Sequence, residues 1–164
     1  ALGFGMRILY CDSKRCEEKE KEVNAEYTDF EALLKNSDFV SLHVPLSEST
    51  KHMVGMHELK LMKKTAVLVN TSRGPVVDEK ALIQALKEKE IFAAGLDVFE
   101  KEPDVPKELA ELDNVVLAPH LGSASFETRE GMAILAAKNI IDLFDGKRPE
   151  AVVNPGVIDK KITN

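Results

Sequence analysis

The chain has 164 residues, of which 44% are hydrophobic and 30% charged, and its 22 Lys and Arg against 28 Asp and Glu leave a formal net charge of −6. This length predicts about one domain and excludes a complete two-domain enzyme. The composition excludes disorder and fibrous repeats. The mild acidic excess argues against a general nucleic-acid surface, so we expect no nucleic-acid partner.

The sequence has no feature that is typical of membrane insertion or secretion. Its longest apolar run, at 132–137, is far shorter than the roughly 18 residues that a membrane span requires. Cys11 and Cys16 form neither a disulfide framework nor a repeated pair of metal ligands, and we expect reduced thiols. These features predict a soluble, cytoplasmic protein with no metal site and no membrane partner.

Short apolar runs recur along the chain, and amphipathic stretches separate them. The runs lie at 6–11, 39–44, 66–70, 93–98 and 115–118. Each is apolar at consecutive positions, which is typical of strands buried on both faces of a parallel sheet.

Helical periodicity fills two of the intervals, at 29–36 and 78–89, and continues after the last run at 125–144. Asp78 is a plausible N-cap, and Gly146 is a natural stop for the last helix. Over 47–64 a short strand, a turn or a helix is possible. The alternation of strands and helices predicts right-handed βαβ units, so the predicted fold class is α/β with a doubly wound parallel sheet.

Polar side chains lie at or just after the ends of all of these runs, where the carboxyl ends of parallel strands meet at one edge of the sheet and ligands bind. They are Asp12, His43, Arg73, Asp97 and His120. Taken singly, Asp12 suits a turn, His43 a satisfied core position and Arg73 a surface cation. Five such groups in succession indicate a common site.

These residue types together suit the reduction of a carbonyl group. Arg73 can hold a substrate carboxylate through two parallel N–H bonds and polarise the adjacent carbonyl. His120 can supply a proton, and a carboxylate such as Glu102 on its other nitrogen would orient the ring and favour its protonated form. The hydride must come from a bound cofactor, since no side chain provides one.

Four segments resemble the signatures of the D-isomer-specific 2-hydroxyacid dehydrogenases. They are Leu42-His43-Val44-Pro45-Leu46, the run 69–74 (VNTSRG), the run 95–103 (GLDVFEKEP) and the run 118–124 (APHLGSA). The run 123–129 (SASFETR) looks most like the glyoxylate and hydroxypyruvate reductases. The resemblance covers nearly the whole chain.

The resemblance implies that Arg73 binds the substrate carboxylate, that His120 is the general acid and base, and that Glu102 is its partner. It implies a cofactor site made of Asp12, Ser13, Lys14, His43, Pro45, Thr71, Ser72, Arg73, Asp97, His120 and Gly122. Asp12 falls where the family contacts the adenosine ribose, which favours NAD. Lys14 and Arg15 follow directly, so NADP stays possible.

One expected feature is absent from these residues. The glycine-rich phosphate loop should follow a first strand, whereas Gly3-Phe4-Gly5 precedes a strand and Ile8 stands at the third glycine position. We therefore expect residues 1–148 to form a Rossmann-type NAD(P)-binding domain that lacks its first strand and most of its first helix. Residues 149–164 would be a tail that returns to a missing substrate domain.

As a whole, the resemblance implies the reduction of a 2-oxoacid such as glyoxylate or hydroxypyruvate by a parent enzyme that is a homodimer. The isolated chain is expected to be inactive. Alternatives of the same class are a phosphoglycerate dehydrogenase and a D-lactate dehydrogenase type enzyme. An NAD-sensing corepressor or scaffold, or an inactive fragment, would be a function of another class.

Overall fold

In the computed structural model, which describes residues 1–157, strands and helices alternate along the chain. The strands of this part are β1 (Ile8–Tyr10), β2 (Ala25–Tyr27), β3 (Phe39–Leu42), β4 (Val67–Asn70), β5 (Ala93–Leu96) and β6 (Val115–Leu117). Its α-helices are α1 (Glu17–Val23), α2 (Phe30–Asn36), α3 (Met56–Leu61), α4 (Glu79–Lys87), α5 (Lys107–Ala110) and α6 (Phe126–Phe144). Single 3-10 turns lie at Leu2–Phe4, Gly74–Val76 and Pro155–Val157.

The chain divides into two compact units, Ala1–His120 and Leu121–Asn164. The first unit contains the strands and helices α1 to α5. In the second, α6 is followed by a segment that the Lys138–Glu150 ion pair, 3.0 Å long, joins back to the helix. The role predicted for the tail at 149–164 stays a prediction, and residues 158–164 of it lie outside the described residues.

Parallel pairing places β3, β4, β5 and β6 side by side in one sheet, in that order. Strands β1 and β2 form a separate parallel pair, and within residues 1–157 no strand bridges β1 and β3. The parallel α/β fold class is confirmed. Because β1 lies outside the four-stranded sheet, however, only four of the five predicted strands share one edge.

The sequence patterns missed α1 and β2. The α1 segment is almost entirely charged, so it has no apolar face to find, and β2 is a short strand whose pairing with β1 (Ile8 opposite Ala25) defines it. The expectation of burial on both faces is wrong for β1, which is half-buried throughout. It also fails at the two sheet edges, where Phe39 and Val116 are exposed.

The predicted helices are confirmed, and their caps explain where they begin. Asp29 accepts a hydrogen bond from the Ala32 N–H at 2.8 Å, and Asp78 accepts one from the Ala81 N–H at 3.0 Å. The open segment at 47–64 contains α3, whose first turn is fixed by the Gly55 N–H donating to Glu58 at 2.9 Å. Helix α4 ends at Lys87, before the predicted end at Lys89.

The hydrophobic core of the first unit lies against the four-stranded sheet. Leu68 of β4 has no exposed surface, and the helices contribute further fully or almost fully buried leucines, namely Leu34, Leu59, Leu82, Leu86 and Leu109. Strand β4 is therefore the structural centre of the unit. Among the described residues, no helix combines the length and the apolarity needed to cross a membrane.

Replacing Leu68 with Ala should destabilise the chain by about 2–5 kcal/mol, because the cavity left in the central strand cannot collapse fully. Val116→Ala is the matched control, since Val116 is also in the sheet but 74% exposed, and its effect should stay within about 0.5 kcal/mol. Urea unfolding followed by circular dichroism measures both. Equal effects of the two substitutions would contradict this placement of the core.

Candidate active site

The register of the four-stranded sheet aligns the last residues of its strands. Leu42 lies opposite Asn70, Asn70 opposite Leu96, and Leu96 opposite Leu117. The loops that follow all leave from the carboxyl edge, where open parallel sheets bind ligands. The first three loops begin with His43, Thr71 and Asp97, and the fourth contains His120.

An open groove of about 510 Å³ lies between the loops after β3 and β4. It is lined by His43, Val44, Pro45, Leu46, Thr71, Ser72 and Arg73. Several of the predicted cofactor residues therefore share one groove. It brings together an imidazole, hydroxyls and a guanidinium beside apolar surface, which is typical of a small-molecule site.

Asn70, at the end of β4, organises the loop that carries Arg73. Its side chain is almost completely buried, and its Oδ1 accepts hydrogen bonds from both the backbone N–H and the hydroxyl of Ser72, at 3.0 and 2.9 Å. Its Nδ2 donates to the Arg73 carbonyl at 3.0 Å. These bonds satisfy a buried amide and fix the loop at the same time.

Arg73 itself is exposed at the end of that loop. Its Nη1 donates to the Ser72 carbonyl at 2.6 Å, which holds one end of the guanidinium against the loop. A guanidinium has five N–H donors, so this bond leaves a fork for a carboxylate. The Ser72 hydroxyl, by contrast, is engaged by Asn70 within the loop.

His120 and Glu102 form the predicted pair. His120 Nδ1 lies 2.8 Å from Glu102 Oε2, and the Phe99 N–H donates to Glu102 Oε1 at 3.1 Å. We assign the proton of this bond to Nδ1, because an ionised carboxylate only accepts hydrogen bonds. Nε2 is then the ring nitrogen that can exchange a proton with a ligand.

Several contacts keep Glu102 ionised. The hydrogen bond from His120 is the main cause that lowers the pKa of the Glu102 carboxyl, and the Phe99 N–H and the charge of Arg73 act in the same direction. His120 has a left-handed backbone conformation, with φ of 55°, which is uncommon for residues other than glycine. The pair thus depends on a specific loop conformation after β6.

The remaining groups at this edge have different surroundings. His43 is exposed, and its Nε2 lies 2.8 Å from the Ser41 hydroxyl, so the alternative of a core histidine is wrong. The backbone N–H of half-buried Asp97 donates to the Asn70 carbonyl at 3.0 Å. Pro45 and Thr71 are exposed in the groove, and Gly122 belongs to the second unit.

Asp12, Ser13 and Lys14 follow β1 and therefore do not leave from the four-stranded sheet, which corrects the expectation of one common edge. Asp12 Oδ1 accepts hydrogen bonds from the Ser13 hydroxyl at 3.1 Å and the Lys14 N–H at 3.3 Å. The loop is further held by the Tyr27 hydroxyl, which donates to the Asp12 carbonyl at 3.1 Å.

Arg15, at the end of this loop, is paired with Glu20 through two hydrogen bonds of 2.8 and 2.9 Å. These bonds from Arg15, together with one from the Tyr10 hydroxyl, lower the pKa of Glu20 to about 2. Arg15 also lies over the Tyr27 ring, 5.8 Å from its centre. Asn70 and Glu20 were missed from sequence; a polar residue ending a buried run was the available signal for Asn70.

The sequence of this chain is similar to those of known proteins. Residues 1–122 match the NAD binding domain of the D-isomer specific 2-hydroxyacid dehydrogenases. The chain is 60% identical over 158 residues to a glyoxylate reductase of Thermococcus litoralis, covering 96% of this chain and 48% of that protein. It thus spans about half the length of the curated relatives it matches.

Two solved structures are also similar to this chain. A glyoxylate reductase from Paecilomyes thermophila superposes with a TM-score of 0.79 at 38% identity, over 86% of this chain and 43% of that one. A D-lactate dehydrogenase with NAD+ from Lactobacillus jensenii gives a TM-score of 0.82 at 35% identity, over 93% and 49%. At these identities the likeness extends beyond the fold to the family.

Removing the imidazole should return the pKa of Glu102 toward its ordinary value of 4.5. In the unsubstituted chain, the stabilisation from this carboxylate is complete above that value and is lost as the pH falls through the lowered folded value. Carboxyl carbon NMR titration of His120→Ala tests this. His57→Ala, which removes an exposed histidine of α3 outside the site, is the control. An unchanged Glu102 titration in His120→Ala would refute the pairing.

Proposed function

The chain belongs to the D-isomer-specific 2-hydroxyacid dehydrogenase family, and we propose that it forms the NAD-binding half of an enzyme that reduces a 2-oxoacid to the 2-hydroxyacid. Glyoxylate or hydroxypyruvate is the proposed substrate. The observation that carries this proposal is the 2.8 Å His120–Glu102 contact, with Arg73 close enough to act on the same carboxylate. An imidazole with a carboxylate partner is suited to move one proton, and a nearby guanidinium is suited to hold an anion.

In the proposed reaction, His120 donates the proton of its Nε2 to the oxygen of the carbonyl group. Glu102 fixes the ring through Nδ1 and stabilises the positive charge of the protonated imidazole. Because Phe99 holds the second oxygen of the same carboxylate, the ring has one preferred orientation. In the reverse direction, His120 takes the proton back from the hydroxyl.

Arg73 is proposed to bind the carboxylate of the 2-oxoacid. The loop bonds from Asn70 fix its backbone, so less entropy is lost when the fork closes on the substrate. A lysine would supply the charge but not the planar pair of donors. The substrate carbonyl then lies next to the bound carboxylate, since the two groups are adjacent in a 2-oxoacid.

The residues present suit two parts of a dinucleotide. The groove beside Thr71 and Arg73 suits the nicotinamide end, and Asp12 offers a carboxylate for ribose hydroxyls. Bound NADH would supply the hydride for the carbonyl carbon. We propose NAD rather than NADP, because Arg15 is already paired with Glu20. A glycine-rich loop for the phosphates is absent from these 164 residues.

The identities favour glyoxylate or hydroxypyruvate over the other 2-oxoacids. The chain is 60% identical to a glyoxylate reductase and 35% identical to a D-lactate dehydrogenase. Among curated relatives, a glyoxylate/hydroxypyruvate reductase B is also 54% identical over 157 residues. Substrate selection by residues outside this chain is part of the proposal, since the relatives are about twice as long.

We also propose that the whole enzyme is a cytoplasmic homodimer. Helix α6 has no buried residue, and several of its apolar side chains are largely exposed, which supports a protein partner for this helix. The two cysteines are free and exposed, which supports a reducing compartment.

In a full-length enzyme that contains this chain, His120→Ala should lower kcat by about 10²–10⁴-fold, because proton transfer loses its positioned donor. The Kd for NADH should change little. Steady-state reduction of hydroxypyruvate and NADH fluorescence measure the two effects, with His57→Ala, at an exposed position of α3, as the control. Unchanged turnover would refute the role of His120.

The isolated 164-residue chain should show no hydroxypyruvate reduction, since it lacks the phosphate loop. Robust turnover by this chain would refute the proposed need for the other half. A full-length protein that binds NADH yet reduces no 2-oxoacid would instead favour the NAD-sensing scaffold.

A further inference from the structure

The loops that carry Arg73 and Glu102 meet at Gly74. Gly74 is buried at the start of the 3-10 turn Gly74–Val76. A Cβ added there would overlap the carbonyl of Phe99 and would lie 2.5 Å from the Glu100 nitrogen. The backbone of Gly74 is outside the left-handed region, so the need for glycine is one of space.

Gly74 contacts the Phe99–Glu100 peptide, and the N–H that orients Glu102 belongs to the preceding peptide, which shares the Phe99 Cα. The Phe99 N–H donates to Glu102 Oε1 at 3.1 Å, while Glu102 Oε2 meets His120 at 2.8 Å. The Phe99 side chain is buried in the core. A displacement of the Phe99–Glu100 peptide would therefore move the Phe99 Cα and its N–H, and so act on Glu102 first and on His120 through it.

The same peptide is also held by contacts of Glu100 with Glu79 and His52, which restrain its movement. The Glu100 N–H donates to Glu79 at 3.4 Å, and the Glu100 carboxylate accepts from the Glu79 N–H at 3.4 Å. His52 Nε2 lies 2.6 Å from the same carboxylate. These contacts tie the peptide to the start of α4.

We propose that Gly74 is a positioning residue for the proton-transfer pair: its missing side chain lets the Phe99–Glu100 peptide pack against the Arg73 loop and so aims the Glu102 carboxylate at His120. The substrate-binding loop and the proton-transfer pair are thereby set at one fixed separation. The inference rests on the proposed function, because proton transfer by the His120–Glu102 pair is part of the proposed reaction. Its test needs no turnover, because His120 and Arg73, the two charged groups that act on Glu102, both belong to this chain.

The unsubstituted chain provides the first test by NMR. The Phe99 amide proton should shift with pH along the same curve as the Glu102 carboxyl carbon, and Glu102→Gln should abolish that shift. A nuclear Overhauser contact should join the Gly74 Hα protons to the Glu100 amide proton. A Phe99 amide that ignores the Glu102 titration, or the absence of the Gly74 contact, would overturn the proposal.

Gly74→Ala provides the second test. The displaced peptide should weaken the Phe99–Glu102 bond, so the Glu102 pKa should rise toward 4.5 and the Phe99 amide should lose its pH response. Gly95→Ala is the matched control, because a Cβ at Gly95 meets only the Val69 side chain at 3.9 Å, and both titrations should stay unchanged there.

A folded Gly74→Ala chain with unchanged titrations would overturn the proposal. Should this variant not fold, the two measurements on the unsubstituted chain decide. None of these measurements depends on hydride transfer. A failure of the proposed reaction would therefore not change their results, and the two failures can be told apart.

Discussion

The in-register parallel pairing of β3 to β6 is the constraint on which the site depends. Leu42, Asn70, Leu96 and Leu117 lie in one row across the sheet, so four loops start at the same level. A slip of one residue in any strand would move its buried side chains to the other face. Burial in the core therefore fixes the position of the functional groups, although none of them belongs to it.

Two features then convert adjacent loops into a defined arrangement. The buried Asn70 amide supplies the hydrogen bonds that the turn after β4 would otherwise lack. Gly74 lets the turn approach the Phe99–Glu100 peptide to backbone contact. Asn70 acts by satisfying polar groups of the turn, and Gly74 acts by having no side chain. Together they fix the position of the Arg73 loop relative to the loop that carries Glu102.

The sequence predicted the helix caps and most of the loop edge because these depend on local patterns. Asp78 is a recognisable cap, the pattern that starts at Asp29 places the beginning of α2, and the polar residues at the ends of apolar runs follow from strand direction. Helix α1 was missed because its charged residues have no apolar periodicity. The role of Asn70 was missed although a polar residue ending a buried run was the available signal, whereas the contact of Gly74 with the Phe99–Glu100 peptide leaves no local signal, since the distance between two loops is set by tertiary packing.

The loop after β1 shows how a partner changes the meaning of a charged residue. In sequence, Arg15 stands beside Asp12 as a cation available to a 2′-phosphate. In the structure, both oxygens of Glu20 accept from it, and a pKa of about 2 keeps Glu20 ionised across the physiological range. A phosphate would have to displace a two-point carboxylate contact and also approach Asp12. Both costs are absent for the free hydroxyls of NAD, so the pairing of Arg15 with Glu20 favours NAD.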